Sequence, residues 1–329
     1  MYRSIVASLF AAVFLMNIFS TARASDAAAT SFPGRQSVTM LVGFAPGGSV
    51  DSVARIIAQK LGAAGWNVVV ENRTGASGLI AMEQLARSKP DGYTLMMGSV
   101  GNLAILPSAM HRNKLDPLRD FTPVAEVGSA PLVFLVPPDS PIHSIKDVID
   151  MARKSQAPLN YASGGVATPP HLAAALLGSM AKIKLNHIPY RGEAPAIVDL
   201  IGKHVPMMFA NISAALPQIK SGAVRAVAVT SPARSPSLPD VPTMAQSGLP
   251  GFDVENWYGI VAPAHTPPPV VARIHDAVAS ALAQPDVQKM FQDQGFTIPH
   301  MSSQQFGKYM ADELARWRGV VQKMGISIN

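Results

Sequence analysis

Short apolar runs alternate along the chain with segments in which apolar residues recur every three or four positions. The apolar runs 38–42, 67–71 and 93–98 are predicted strands, and the segments 50–61 and 79–88 are predicted helices. Strands that alternate with helices at this spacing predict a parallel sheet with helices on both faces. The first half of the chain is therefore predicted to have an α/β fold.

The second half of the chain repeats the alternation after one long extended segment, residues 121–137. Ser144 is a predicted helix N-cap, with Asp147 at the third helical position. We predict strands at 159–162, 185–188, 205–209, 224–229 and 256–263, and helices at 144–154, 168–182, 194–201, 268–283, 286–294 and 303–324.

The strand at 256–263 is predicted to return the chain to the domain in which it began. Residues 37–134 and 255–329 then form a discontinuous lobe 1, and residues 135–254 form an inserted lobe 2. Two crossing segments make a natural hinge, and the cleft between the lobes is the expected ligand site.

The N-terminal segment predicts export. Arg3 precedes a mostly apolar stretch, and Ala22-Arg23-Ala24 has the form of a signal peptidase site. We predict a cleavable signal peptide at 1–24 and a flexible segment at 25–36. The alternative, a membrane anchor, is disfavoured because the apolar stretch is short for a span of about 20 residues. The predicted location is the periplasm, as a soluble protein.

Composition removes several classes of function. The sequence contains no cysteine, which excludes disulfides, thiolate metal sites, a cysteine nucleophile and a lipid-modified cysteine. The net charge is +6, only 15% of residues are charged, and the basic residues are scattered. Nucleic-acid binding would need a basic patch with aromatic residues, whereas a mildly positive surface suits a small anionic molecule.

Catalytic patterns are incomplete. A phosphate-binding loop would need Lys before Ser49, where Gly48 stands. A nucleophile elbow at Ser99 would need Gly two positions earlier, where Met97 stands. The eight histidines are dispersed. We therefore predict no catalytic residue, no metal and no cofactor, and a secreted α/β hydrolase is a disfavoured alternative.

Turns rich in glycine, serine and threonine follow the predicted strands. The first lies just before the helix at 50–61, where unpaired backbone N–H groups and the helix dipole provide a seat for an anion. Four such turns at strand ends, on both lobes, favour ligand binding over simple turn formation. The candidate residues are Gly47, Gly48, Ser99, Asn102, Ser163, Gly164, Gly165, Thr168, Tyr190, Arg191 and Gly192.

Two charged residues near these turns have alternative roles. Asp51 either stabilises the first helical turn through the dipole or contacts a ligand, and the structural role is slightly favoured. Arg191 either pairs with a ligand carboxylate or is a solvated loop charge.

Taken together, the motifs of the chain resemble a known family: the substrate-binding proteins of tripartite tricarboxylate transporters, called Bug receptors. The similarity covers essentially the whole mature chain. The motifs that carry it are Phe44-x-Pro46-Gly47-Gly48-x-x-Asp51, Glu71-Asn72-Arg73-x-Gly75-Ala76-x-Gly78, Pro90-Asp91-Gly92-Tyr93-Thr94-Leu95, Asp120-Phe121-x-Pro123-Val124, His171-Leu172-Ala173 and Pro189-Tyr190-Arg191-Gly192-x-x-Pro195-Ala196-x-x-Asp199-Leu200.

The resemblance implies a type II periplasmic binding protein of the Venus-flytrap kind. It implies capture of a small carboxylate, such as a di- or tricarboxylate, an amino acid or an aromatic acid, held largely by backbone groups and waters. It also implies a large and a small membrane subunit as partners. A monomer is expected. A receptor that senses its ligand for a membrane signalling protein, without transport, is the alternative.

The resemblance adds Phe44, Pro46 and His171 to the candidate ligand-binding residues, and it matches Asp51 to the first-lobe loop. One departure is visible at Pro169-Pro170, where the family commonly has a Gly-Ser type segment. Proline has no N–H, so two donors that could face a ligand are missing. We expect the Thr168 hydroxyl, the His171 N–H or a water to substitute.

Overall fold

A computed structural model describes residues 32–110 and 115–323, so the predicted signal peptide lies outside the described residues. The strands are β1 Ser37–Val42, β2 Asn67–Asn72, β3 Thr94–Ser99, β4 Phe121–Val136, β5 Leu159–Ser163, β6 Leu185–Pro189, β7 Met208–Asn211, β8 Arg225–Val229 and β9 Glu255–Pro263. The helices are α1 Ser49–Ala63, α2 Leu79–Ala86, α3 Leu106–Ala109, α4 Pro117–Asp120, α5 Ile145–Lys154, α6 Pro169–Ala181, α7 Glu193–Ile201, α8 Ile212–Lys220, α9 Pro268–Leu282, α10 Pro285–Asp293 and α11 Ser303–Lys323.

None of the helices within these described ranges combines the length and apolar character needed to cross a bilayer. The described residues also include two short helical turns, a 3-10 turn at Ala76–Gly78 and a π turn at Gly101–Ile105.

The strands form one continuous mixed sheet in the order β2-β1-β3-β9-β4-β7-β5-β6, with β8 also paired to β4. Strands β2, β1 and β3 run parallel, and β5 runs parallel to β6 and β7. Strand β9 is antiparallel to both β3 and β4. Because parallel strands place their carboxyl ends at one edge, the turns after β1 and β3 lie together, as do those after β5 and β6.

The long strand β4 joins two groups of strands. Its residues 121–131 pair with β9, and its residues from Leu132 onward pair with β7 and β8. We call the group β2-β1-β3-β9 with its helices the first lobe, and the group β8, β7, β5 and β6 with its helices the second lobe. The change of partner at Pro131–Leu132 lies close to the predicted lobe boundary, and the exact residue limits of the lobes stay a prediction.

Apolar side chains cover both faces of the sheet. On β1, Met40 and Val42 belong to a cluster that includes Ile57 of α1, whereas Leu41 belongs to a second cluster on the opposite face, which includes Phe306 of α11. All five side chains are completely buried. Burial on both faces explains why the strands are continuous apolar runs rather than alternating ones.

Most predicted elements are present within a few residues, and the capping box is confirmed. Asp147 N donates to Ser144 Oγ over 3.2 Å, and Ser144 N donates to Asp147 Oδ2 over 2.8 Å. The parallel arrangement predicted for the strands of the first half is confirmed for β1, β2 and β3. Strand β9, for which no direction was predicted, is antiparallel because it returns directly from the second lobe without a crossover. The sequence reading also missed α8, because Pro217 inside it is typical of a helix breaker.

Gly259 of β9 is predicted to be essential for packing the last helix. A Cβ atom at this position would lie 2.2 Å from the Cζ atom of Phe306. We expect Gly259→Ala to lower the free energy of unfolding by about 1–3 kcal/mol, the usual cost of overpacking a core. Urea denaturation measures this loss.

The matched control is Gly319→Ala in α11, where an added Cβ meets no atom within 4 Å. Because alanine favours helix more than glycine does, Gly319→Ala should raise stability by roughly 0.5–1 kcal/mol. Equal effects of the two substitutions would contradict the packing argument.

Candidate functional site

A small cavity lies between the two lobes, at the carboxyl ends of strands from both. Its volume is about 30 Å³, which is room for about two water molecules. Helices α1, α6 and α7 each contribute residues of their first turn. The lining residues are Phe44, Gly48, Ser49, Val50, Ser99, Gly164, Thr168, Pro169, Pro170, Glu193, Asn211 and Asn256.

A network of buried hydrogen bonds crosses the cavity from one lobe to the other. Ser49 Oγ donates to Glu193 Oε2 over 2.9 Å, and Ser49 N donates to the same oxygen over 3.4 Å. Asn211 donates to Glu193 Oε1 through its backbone N, at 2.5 Å, and through Nδ2, at 2.7 Å. Asn256 Nδ2 donates to Asn211 Oδ1 and to the Tyr258 hydroxyl, at 2.7 and 2.8 Å. The network therefore joins β9 and α1 of the first lobe to α7 and β7 of the second.

Asp51 stabilises the turn that follows β1 in the first lobe. Asp51 is 2% exposed and accepts hydrogen bonds from Gly47 N, Arg55 Nε and Asn72 Nδ2 at 2.8–2.9 Å. Burial alone would raise the pKa of Asp51, but these hydrogen bonds together hold it below its usual value. Asp51 does not line the cavity. Its contacts favour the structural role that the sequence left open.

Of the two predicted residues at the turn after β3, Ser99 lines the cavity and Asn102 does not. Ser99 lines the cavity, and its backbone N donates to Asn102 Oδ1 over 2.8 Å. Asn102 is completely buried and lies against Gly78 rather than at the cavity. Asn102 therefore shapes the turn that presents Ser99.

The turn after β5 is closed by its own hydrogen bonds. Ser163 Oγ and Thr168 Oγ1 both donate to the carbonyl of Gly165, over 2.9 and 2.8 Å. The Ala167 N–H donates to His171 Nδ1 over 3.1 Å. Of these residues Thr168 lines the cavity, together with the neighbouring Gly164, whereas the others lie behind it.

The turn after β6 approaches the first lobe closely. Gly192 has a φ of +133°, and a Cβ there would lie 3.1 Å from Ala45, so glycine is needed for both reasons. Tyr190 does not line the cavity, and it donates its hydroxyl hydrogen to Asp199 Oδ2 over 2.5 Å. Arg191 is exposed. Pro46 and Gly47 are also exposed and do not line the cavity.

A serine and a histidine do meet in the second lobe. Ser163 Oγ lies 2.6 Å from His187 Nε2, and the His187 ring stacks on His171 with 4.1 Å between centroids. Ser163 is completely buried, and no carboxylate hydrogen-bonds His187 within residues 32–110 and 115–323. Burial lowers the pKa of His171 to about 4 and that of His187 to about 3. Such a pair lacks the acid and the access that a hydrolytic triad needs.

Four polar residues of the cavity were missed by the sequence reading: Ser49, Glu193, Asn211 and Asn256. The two asparagines among them lie within apolar strands, at the end of β7 and near the start of β9. A buried asparagine in such a strand is a signal for a polar site, although it does not say which site. Among the described residues no cluster of histidine and acidic side chains could hold a metal ion.

Known proteins of one family are similar to this chain over most of its length. Residues 52–326 match the family model described as the tripartite tricarboxylate transporter family receptor. The chain is 35% identical to the protein BugT of Bordetella pertussis over 311 residues, which is 93% of this chain and 94% of BugT.

Two solved structures from Rhodopseudomonas palustris share the fold. MatC with bound malate is 33% identical and has a TM-score of 0.83 over 88% of this chain and 100% of MatC. Rpa4515 with adipate is 33% identical and has a TM-score of 0.86 over 90% of this chain and 99% of Rpa4515. The chain therefore has the mixed α/β fold of periplasmic binding proteins.

Asp51→Asn is predicted to reduce stability without affecting ligand affinity. The amide loses the negative charge and one of the two oxygens that accept three hydrogen bonds, which should cost about 1–3 kcal/mol of unfolding free energy. Calorimetric ligand affinity should change less than about threefold, because the residue lies outside the cavity. The exposed Asp286→Asn substitution, at the ion pair with Lys60, is the control and should leave stability almost unchanged. Loss of affinity at full stability would assign Asp51 to the ligand.

His171 is predicted to destabilise the protein in mild acid. In the unfolded chain the His171 ring binds a proton near pH 6.5, whereas in the folded protein its pKa is about 4. Protonation between these values therefore favours the unfolded chain, and the free energy of unfolding decreases as the pH falls from 6.5 to 4. At pH 4.5 the loss should reach about 2–3 kcal/mol. His171→Gln should fall less steeply than wild type between pH 7 and 4.5 in urea denaturation, and the exposed His143→Gln control should follow wild type. Parallel curves for all three proteins would contradict this assignment.

Proposed function

The chain belongs to the family of tripartite tricarboxylate transporter receptors, and from that premise we propose that it captures one small carboxylate between its lobes for transport. The family consists of non-catalytic periplasmic solute-binding receptors, so the protein is a receptor and not an enzyme. We further infer that the residues 1–24 direct export and that the receptor delivers its ligand to a large and a small membrane subunit.

The observation that carries this proposal is the cavity between the lobes. Helices α1, α6 and α7 all begin at it, and they belong to both lobes. Helix N-termini favour anions through their dipoles and unpaired N–H groups. The relatives with bound malate and adipate support a small carboxylate as the ligand class.

The size of the cavity implies that the lobes move. The cavity of about 30 Å³ has room for about two water molecules, so we expect the lobes to part before a ligand of several carbon atoms enters. Rotation about the segments that cross between lobes, followed by closure on the ligand, is the expected motion. The hydrogen bonds from Ser49 to Glu193 would break and re-form in each cycle.

We propose that the ligand contacts the predicted residues that line the cavity: Phe44, Gly48, Ser99, Gly164 and Thr168. The other predicted residues would act through the shape of the turns. Thr168 already donates to the Gly165 carbonyl, so its hydroxyl oxygen remains available only as an acceptor in this arrangement.

A substitution that fills the cavity should abolish binding. Gly48 has a φ of −81°, and an added Cβ there meets no atom closer than 3.7 Å, so Gly48→Leu is compatible with the backbone and extends into the ligand space. A panel of small mono-, di- and tricarboxylates is screened by thermal shift. A binding carboxylate at about 100 times its dissociation constant should stabilise wild type by about 2.7 kcal/mol.

Gly48→Leu should weaken calorimetric affinity at least about a hundredfold, because its side chain takes the ligand volume. Gly62→Leu, on the exposed side of the same helix with no atom within 4 Å of the new Cβ, is the matched control and should bind like wild type. The proposed function fails if no carboxylate binds wild type, or if Gly48→Leu binds as tightly as wild type.

A further inference from the structure

Glu193 is a buried acid at the centre of the cleft. It is the first residue of α7 and is 7% exposed. Its two carboxylate oxygens accept four hydrogen bonds, two from Ser49 and two from Asn211. Both backbone partners and the Asn211 amide are obligate donors, which matches an ionised carboxylate.

This carboxylate occupies the anion seat at the start of α1. Ser49 N is one of the unpaired N–H groups of that helix terminus, and it faces Glu193 Oε2 together with the Ser49 hydroxyl. A carboxylate of a ligand would use the same two donors. The protein therefore supplies from its own second lobe an anion that a ligand would otherwise bring.

The charge of Glu193 has no basic partner nearby. None of the ion pairs formed within residues 32–110 and 115–323 includes Glu193. Burial raises the pKa of Glu193, and the hydrogen bonds from Asn211 and Ser49 offset only part of this effect. A second negative charge in the same cavity would be strongly unfavourable, whereas a cation or a strong N–H donor would be favourable.

Asn256 independently indicates that the cavity favours a ligand with an N–H donor. It lines the cavity, is 2% exposed, and its Oδ1 atom has no hydrogen-bond partner. Its amide nitrogen already donates hydrogen bonds to Asn211 and Tyr258. A buried acceptor without a partner is costly, and a ligand donor would remove that cost.

Donors for a carboxylate are scarce on the opposite wall as well. Pro169 and Pro170 form the first turn of α6 and line the cavity, and neither has an N–H group. The helix terminus there offers two fewer anion-binding groups than an ordinary one. The three helix dipoles thus still favour one carboxylate, but the cavity has few donors left for a second.

We propose that Glu193 determines specificity in this cleft, by excluding a second carboxylate and by accepting an ammonium or primary amide at the far end of a monocarboxylic acid, whose N–H replaces the long 3.4 Å hydrogen bond from Ser49 N. The proposal rests on the receptor function above and names its ligand class. Asn256 Oδ1 accepts a second N–H of the same ammonium or amide. The single carboxylate of the ligand is left to the Ser99 hydroxyl and the turn at Gly164.

The test compares acids that differ only at one end. Succinate, succinamate and 4-aminobutyrate carry a carboxylate, an amide and an ammonium opposite the same carboxylate. The corresponding three- and five-carbon sets cover other chain lengths. Isothermal titration calorimetry on the wild-type protein should give affinities for the amide or ammonium acid at least tenfold higher than for the diacid of the same length.

The variants assign this preference to Glu193. Glu193→Gln keeps nearly the same volume but removes the charge and one of the two accepting oxygens, so affinity for the ammonium acid should fall at least tenfold and the preference over the diacid should be lost. Glu83→Gln, on the surface of α2, is the matched control and should keep the wild-type preference. Circular dichroism and the denaturation midpoint verify that each variant is folded.

The outcomes separate this proposal from the receptor function. Wild type that binds diacids as tightly as their amide or ammonium counterparts overturns the role of Glu193 and leaves the receptor function intact. The same holds if Glu193→Gln keeps the wild-type preference. Wild type that binds no carboxylate of any kind overturns the receptor function itself. Because the wild-type comparison needs no variant, it tests the proposal even if Glu193→Gln folds poorly.

Discussion

The architecture depends on one long strand that pairs with the strands of both lobes within a single sheet. Strand β4 is sixteen residues long, and its backbone hydrogen bonds go to β9 over the first part and to β7 and β8 over the second. Since buried N–H and C=O groups must be paired, β4 needs partners along its whole length, and at Pro131–Leu132 they change from β9 of the first lobe to β7 and β8 of the second. The cleft lies beside this point because the strands of both lobes direct their carboxyl ends towards it.

The sequence predicted the local elements well, because each is specified by neighbours along the chain. The capping box at Ser144 is confirmed within the segment that contains it. The antiparallel direction of β9 was not predictable in the same way, because it depends on a partner more than a hundred residues distant in the chain. Helix α8 was missed because its local sequence disfavours a helix. Pro217 lies inside it, and tertiary packing overrides the low helix propensity of proline.

The residues of the candidate site likewise differ in how far the local sequence predicts them. Glycine turns at strand ends identified the correct region, and Gly48, Ser99, Gly164 and Thr168 line the cavity. Turn chemistry could not separate these residues from Asp51 and Asn102, which support the turns from behind. Glu193 carries no distinctive signal in the sequence, because an acid in the first turn of a helix is usually explained by the dipole. Only the approach of the two lobes reveals that its carboxylate also faces the start of α1.

In the proposed receptor cycle, the buried carboxylate of Glu193 at the junction of the two lobes couples ligand binding to closure. When the lobes part, Glu193 loses the two hydrogen bonds from Ser49 but keeps those from Asn211, which lies in the same lobe. The open state can replace the lost bonds with water, so closure has to remove that water from an ionised group, which is unfavourable. A ligand that brings a positive charge or an N–H donor to Glu193 compensates for this desolvation, whereas a second carboxylate increases it. In its proposed role, Glu193 therefore also determines which ligand permits the lobes to close.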